Sequence, residues 1–233
     1  GVDPATGMNF DQARQYCEAK GEGWHLMTRM EWGLILRWCI SNGFMPKGNN
    51  SYGKHSSETA YKAIPTYKDS DGRICRVATG TGPLTWYHDQ TPSGMSGLVG
   101  NIWEWAGAVR AVFGELHILV NNNGADAAHS QGASSAEWKA INAADGSLIT
   151  PNGSGTTSGS IKMDFISNTL TWSTSITNKA DAWHDIPFSN IKCDSTIGAN
   201  AKLLLQNLGF LPYEGDTLES AHHCYFDNGL ACL

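Results

Sequence analysis

One carboxylate lies between two indoles in the stretch GLVGNIWEWAG, residues 97–107, where Glu104 follows Trp103 and precedes Trp105. Strand periodicity puts Trp103, Trp105 and Gly107 on one face and Ile102, Glu104 and Ala106 on the other. Glu104 is then expected to be partly buried among apolar neighbours. A carboxylate in such a place must be hydrogen-bonded, ion-paired or bound to a metal. Three roles stay open for it: a structural one, bonded to loop amides or an arginine; ligation of calcium; and general acid/base catalysis. The two indoles are expected in the core.

Other residues of reactive type are scattered. His222-His223-Cys224 suggests zinc, but adjacent histidines on a strand face opposite sides and no further ligand is spaced to help. They are expected to be loop residues. Six cysteines occur, at 17, 39, 75, 193, 224 and 232, with no CxxC pair. Buried free thiols are the expectation, with disulfides or a metal site as alternatives. Cys224 and Cys232 near the two histidines leave a thiol oxidase conceivable. Asp69-Ser70-Asp71-Gly72 matches the start of a calcium loop, but the rest of the twelve-residue pattern is missing, so a turn is expected. The chain has no GxSxG nucleophile elbow and no phosphate-cradling glycine loop. A net charge of -6 without a lysine/arginine cluster argues against nucleic acid as a partner. No apolar run approaches the roughly 18 residues of a membrane span.

The elements that must position these residues read as one α+β domain with long loops. A first helix is predicted over 9–20, capped by Asn9, with Phe10, Ala13, Tyr16 and Cys17 on its buried stripe and Gly21 beyond its end. Residues 22–28 read as a short strand or extended link. Thr28 and Glu31 form a capping box that opens a second helix, with Leu34, Ile35, Trp38 and Cys39 as its stripe and Asn42-Gly43 as its stop. Residues 44–72 read as polar and turn-rich. A strand is predicted in RICRV, a hairpin around Gly114, a surface segment over 121–135 and a short helix from Ser134 or Ser135. Two strands meet near Asn168, and a third helix runs from near Thr196 to Gly209.

Two motifs, in order, carry a resemblance. The early one comprises Ala13, Cys17, Gly21, Leu26, Thr28, Glu31 and Trp32. The later one comprises Gly94, Met95, Gly97, Gly100, Asn101, Ile102, Trp103, Glu104 and Trp105. Together they resemble the formylglycine-generating-enzyme type of C-type-lectin fold, strongly over residues 7–115 and more weakly over 116–212. Within that group the chain is most similar to variable proteins of diversity-generating retroelements from phages and gut bacteria, in HDQTPSGMSGLVGNIWEWAG and NNNGADAAHSQGASSAEWKAI. That likeness implies a non-enzymatic scaffold on a virion or cell surface. It would hold a hypervariable C-terminal surface for a protein or glycan target, with Tyr225, Asp227 and Asn228 close to that surface. The enzyme branch implies the alternative, a thiol oxidase. It also implies calcium held by backbone oxygens at Gly100 and Ile102 and by the Glu104 carboxylate. This sequence departs at Gly97, where the family carries Asp or Asn, and that loses an oxygen ligand. The resemblance further implies a variable segment after Leu233.

Overall fold

The computed structural model describes residues 1–59, 62–166, 168–177, 184–216, 223–227 and 230–232. The chain is a mixed α/β protein of few helices. It folds as two compact units, one of Gly1–Met8 with Trp38–Glu104, the other of Asn9–Arg37 with Trp105–Leu233.

Helix α1 spans Phe10–Glu18 and begins at the expected cap: Asn9 Oδ1 accepts the Gln12 amide at 2.9 Å, and Gln12 Oε1 accepts that of Asn9 at 3.0 Å. Of its anticipated stripe only Ala13 is buried, and Tyr16 is 63% exposed. Helix α2 spans Arg29–Ser41 and carries the capping box, with Thr28 N–H on Glu31 Oε2 at 2.8 Å and Glu31 N–H on Thr28 Oγ1 at 3.3 Å. It stops at Gly43, which takes φ +66°, while Phe44 N–H returns to the Cys39 carbonyl at 3.1 Å.

The stripe of α2 is a correction. Leu34 is 70% exposed and Trp38 is also exposed, while Arg29, Trp32, Gly33 and Cys39 are buried. The reason lies at Gly33, where a Cβ would stand 1.9 Å from the Asn207 carbonyl oxygen. A backbone-to-backbone approach that close requires the face bearing Gly33 to turn inward, which rotates Leu34 out. Gly33→Ala is therefore expected to destabilise by about 2–3 kcal/mol, because backbone cannot move aside as a side chain can. Chemical denaturation checks this, and a loss below about 0.5 kcal/mol would refute the contact.

Strands β1 (Pro65–Lys68) and β2 (Ile74–Val77) form a two-stranded antiparallel sheet in the first unit. Strand β1 lies inside the stretch expected to be loop; its Pro65 and Lys68 hide a short edge pairing from any period-2 pattern. The DSDG segment is the turn between the two strands, with Asp69 Oδ1 accepting the amides of Asp71 and Arg73 at 3.0 and 2.9 Å. A 3-10 turn at Leu84–Trp86 follows, its Trp86 buried against Ala63 and Val77.

The second unit is built on β3 (Val109–Val112), β4 (Glu115–Ile118), β5 (Lys139–Ile141), β6 (Leu148–Ile149), β7 (Lys162–Ile166), β8 (Thr169–Ser173), β9 (His184–Pro187) and β10 (Ile191–Cys193). Helix α3 (Ala199–Asn207) and strands β11 (His223–Asp227) and β12 (Leu230–Cys232) complete it. A seven-stranded sheet runs β10-β8-β7-β4-β5-β6, with β3 also on β4, and a three-stranded sheet runs β12-β11-β9. The hairpin at Gly114 is present: Phe113 and Gly114 both take positive φ, 48° and 84°. That is the chemistry a tight two-residue connection demands. Strand β4 gives one edge to β3 and divides the other between β7, at Glu115, and β5, at His117 and Ile118. Asn168, at φ 60°, stands at the β7–β8 turn as expected. Helix α3 has Gly198 as its N-cap and Gly209, φ 68°, just past its C-cap; Thr196 instead bonds Asp194. The helix anticipated from Ser134 or Ser135 is absent, and a turn leads into β5 there. Trp172, Leu170, Ile141, Ile161, Ala201 and Leu205 are fully buried and form the centre of this unit.

Candidate functional site

The 97–104 segment is not a strand. Gly97, Gly100 and Asn101 take φ of 82°, 68° and 68°, which curls the chain and breaks the alternation the sequence suggested. Its shape is pinned from within its own unit. A Cβ at Gly100 would lie 2.5 Å from the Asn49 carbonyl oxygen, and Asn101 N–H donates to that same oxygen at 2.8 Å. The Asn101 amide then bonds β2 as a strand would: Val77 N–H donates to Oδ1 at 2.9 Å and Nδ2 donates to the Val77 carbonyl at 3.0 Å. Asn49 Oδ1 accepts Gly53 N–H at 2.8 Å. Ile102 N–H closes a tight turn on the Gly100 carbonyl at 2.9 Å.

At the end of this loop Glu104 is exposed by surface area, although protein atoms stand densely about its carboxylate. Among the described residues it has no hydrogen-bond donor and no cation, so neither a loop amide nor an arginine holds it. The protein atoms crowded about it weaken its hydration and push its pKa up to about 7. Trp103 is 58% exposed, outside the core where it was expected. Trp105 is half-buried and meets Phe10 edge-on, ring centroids 6.0 Å apart.

Thr28 and Glu31 do more than cap α2. Thr28 Oγ1 donates to Asn122 Oδ1 at 2.5 Å, Asn122 Nδ2 donates to Glu31 Oε1 at 3.3 Å, and His25 Nε2 lies 2.9 Å from that oxygen. Burial works to raise the Glu31 carboxyl, but the Thr28 amide, His25 and Asn122 outweigh it and hold it below the usual range. Asn121 and Asn122 both sit in the left-handed region, φ 52° and 56°. The 121–135 segment, expected as plain surface, thus contributes a strained turn, and its Gln131 is buried with Oε1 accepting Ala108 N–H at 2.7 Å.

Tyr225 and Asp227 lie on β11, Tyr225 in register with Asp185 and Cys232, Asp227 with Leu230. Asn228 lies outside the described residues, as does His222. His223 and Cys224 belong to β11 rather than to a loop, because the segment pairs with β9. Cys17, Cys39, Cys75 and Cys193 are free thiols, Cys39 buried, Cys17 and Cys193 partly buried, and Cys75 exposed. Burial pushes Cys39 and Cys193 up to about 11, which leaves both protonated and poorly nucleophilic at neutral pH. Among the described residues no three His, Cys, Asp or Glu side chains gather as a metal group, and no helix is long and apolar enough to cross a membrane.

The sequence reading missed a buried polar cluster on β4 and β7. Glu115, His117 and Ser160 are inaccessible to solvent and Lys162 nearly so. Glu115 accepts from Ser160 Oγ at 2.6 Å, from the Thr157 amide and from the Thr157 hydroxyl, both at 2.8 Å, and lies 2.7 Å from His117 Nε2. Lys162 Nζ donates to Ser160 Oγ at 2.7 Å and stands 3.8 Å from Glu115. The available signal was GELHILV, in which a Glu and a His interrupt an otherwise apolar run.

Similarity to known proteins follows the motif-bearing part of the chain. Inactive C-alpha-formylglycine-generating enzyme 2 of Bos taurus is 27% identical over 117 residues, which is 50% of this chain and 36% of that protein. The chain thus spans about a third of the length of the curated relative it matches. The family described as sulfatase-modifying factor enzyme 1-like domain matches residues 2–137, more than half of the chain, and takes in both motifs and the pinned 97–104 loop. The protein belongs to the sulfatase-modifying factor enzyme 1-like domain family.

Proposed function

We propose that the protein is a non-enzymatic, C-type-lectin-like binding scaffold, a variable protein of a diversity-generating retroelement displayed on a virion or cell surface. Tyr225, Asp227 and Asn228 take part in its contact with a protein or glycan target. The observation that carries this reading is the character of the family motif. The single ionisable side chain of its later part, Glu104, has no nucleophile or base within hydrogen-bond reach among the described residues, while the loop around it is fixed by Asn49 and Asn101. A rigid loop without a reacting constellation suits a scaffold that keeps its shape while exposed side chains change. The word "inactive" in the name of the bovine relative agrees with it.

Two measurements test the reading. Sequencing of clonal relatives should find substitutions clustered in codons near the 3′ end of the gene, and an invariant end would sink it. Incubation with a thiol-bearing sulfatase-type peptide should give no oxidation, and turnover would establish the thiol oxidase instead.

Calcium at Glu104 is part of the proposal. The backbone oxygens of Gly100 and Ile102 and the Glu104 carboxylate, which has no partner among the described residues, are hard oxygen donors, the set calcium takes, and water must supply the remainder of its six to eight ligands. A bound ion would supply the positive charge that Glu104 lacks. With the folded carboxyl near 7 and the ordinary value at 4.5, the sign is fixed. The folded state holds the extra proton, so stability is full below pH 4.5 and falls as pH rises through 7. Because the carboxylate remains open to water, the loss is only about 1 kcal/mol. Chelator-stripped protein titrated with calcium should release heat and regain that stability, and Glu104→Gln should abolish both effects. No heat and no shift in Tm ends the calcium assignment.

A further inference from the structure

The hydrogen bonds around His117 fix which of its nitrogens carries the proton. Arg110 Nε–H donates to His117 Nδ1 at 3.2 Å, so Nδ1 is bare and Nε2–H donates to Glu115 Oε1 at 2.7 Å. The imidazole is neutral and wholly buried. Its partner Arg110 is also the tie to the 131–138 loop. Arg110 Nη1 donates to the Ala133 carbonyl at 2.6 Å, and the guanidinium lies 4.6 Å from the Trp138 ring centroid. Trp138 is buried, and its Nε1–H donates to the Gly132 carbonyl at 3.0 Å.

We propose that Glu115, His117 and Arg110 form an acid-sensitive latch, in which a proton taken by His117 Nδ1 ejects the Arg110 guanidinium and frees the 131–138 loop. The proton comes from solvent and stays on Nδ1. Nδ1–H then faces Arg110 Nε–H, donor against donor and cation against cation.

The charges facing the ring do not relieve this. On its own strand stands Glu115, already shared with Ser160, Thr157 and Lys162. From β3 comes Arg110 itself. From β5 the residue in register with His117 is Ala140, and the neighbouring Lys139 turns its Nζ to the Ala136 carbonyl. From β7 comes Lys162, 3.8 Å from Glu115. Among the described residues two cations and one carboxylate already occupy the cluster, and a third cation has no acceptor there.

Burial, then Arg110, depress the His117 pKa against the pull of Glu115, which agrees with a closed state that resists the proton. The closed form therefore loses stability as pH falls below the ordinary histidine value of 6.5. Glu137 of the loop makes a separate pair with His129 just before it, His129 Nδ1 lying 2.6 Å from Glu137 Oε2. Glu137 is held below the carboxylate range by the Ser130 amide and His129, so it lets go only in stronger acid.

The test is nitrogen NMR of His117 with hydrogen exchange at the Trp138 indole. At neutral pH, Nδ1 should be unprotonated and Nε2 protonated. Below about pH 6.5 the indole protection factor should fall about tenfold per pH unit, while the rest of the sheet keeps its protection. His117→Gln should flatten that slope, and His129→Gln should leave it. Should His117→Gln fail to fold, Arg110→Met probes the same latch from its other side, and its indole should be unprotected at every pH. A protonated Nδ1 at neutral pH, protection that stays flat from pH 7 to 5, or a slope that survives either latch substitution overturns the proposal.

Discussion

Arg29→Ala is expected to cost about 3–5 kcal/mol. The guanidinium is 1% exposed and ends helix α3: Nε donates to the Leu208 carbonyl at 2.6 Å and Nη2 to that of Gly209 at 2.7 Å. Its flat face covers Phe210 at 4.3 Å. Alanine would remove this donor from the carbonyls of the C-cap Leu208 and of Gly209 just beyond it, at the negative end of the helix dipole. It would also open a space against Phe210. Arg29→Lys should recover little, since one ammonium cannot span both oxygens in the plane of a fork. Urea unfolding with fitted slopes measures this, and a loss for Arg29→Ala below about 1 kcal/mol would show that water or another donor replaces the side chain.

Glu115→Gln is expected to cost about 3–5 kcal/mol as well, for a different reason. Glutamine fills the same volume, so packing is kept, but the charge is lost and one oxygen that accepts two hydrogen bonds becomes a donor. Lys162 is then a buried ammonium without its carboxylate. Burying the pair was itself costly, so the loss measures a stranded charge more than a broken attraction. The double change Glu115→Gln with Lys162→Met should therefore recover most of the stability, and that recovery is the decisive observation. Burial works to raise the Glu115 carboxyl, but Ser160, His117 and Thr157 outweigh it and depress it below its ordinary 4.5. Its contribution is full above pH 4.5 and is lost as pH falls through the depressed value. A double variant no more stable than the single one would mean that hydrogen bonds to Glu115, not the charge of Lys162, set the cost.

How much of this was legible in the sequence depends on the range of the interaction. Local chemistry reads well. Asn9 and Gln12, Thr28 and Glu31, Asn42-Gly43 and Phe113-Gly114 act within a few residues of themselves, and each forms the cap or turn its type demands. Facing reads poorly. Leu34 and Trp38 fit an apolar stripe at helical spacing, yet the contact that orients α2 is made by Gly33, a residue with no side chain to register in any pattern. The NIWEW alternation misled for a related reason: Gly97, Gly100 and Asn101 curl the chain, so Trp103 faces solvent and Glu104 finds no partner among the described residues. The family motif was visible because it is made of particular residues in order. The Glu115 cluster was not, because Ser160 and Lys162 reach β4 only through the pairing of β7.

The turn at Asn121 and Asn122 bears on the order in which the protein assembles. Two successive non-glycine residues in the left-handed region cost about 1 kcal/mol or more each when nothing holds them. Asn122 is held by Thr28 and Glu31, with Thr28 and Asn122 separated by 94 positions in the chain. Helix α2 and its capping box can form from local sequence alone. The Asn turn gains its partners only after that long loop has closed. It is thus a late event on the folding path and an early one on the way out, and its amides should exchange with solvent before those of the sheet that surrounds Trp172.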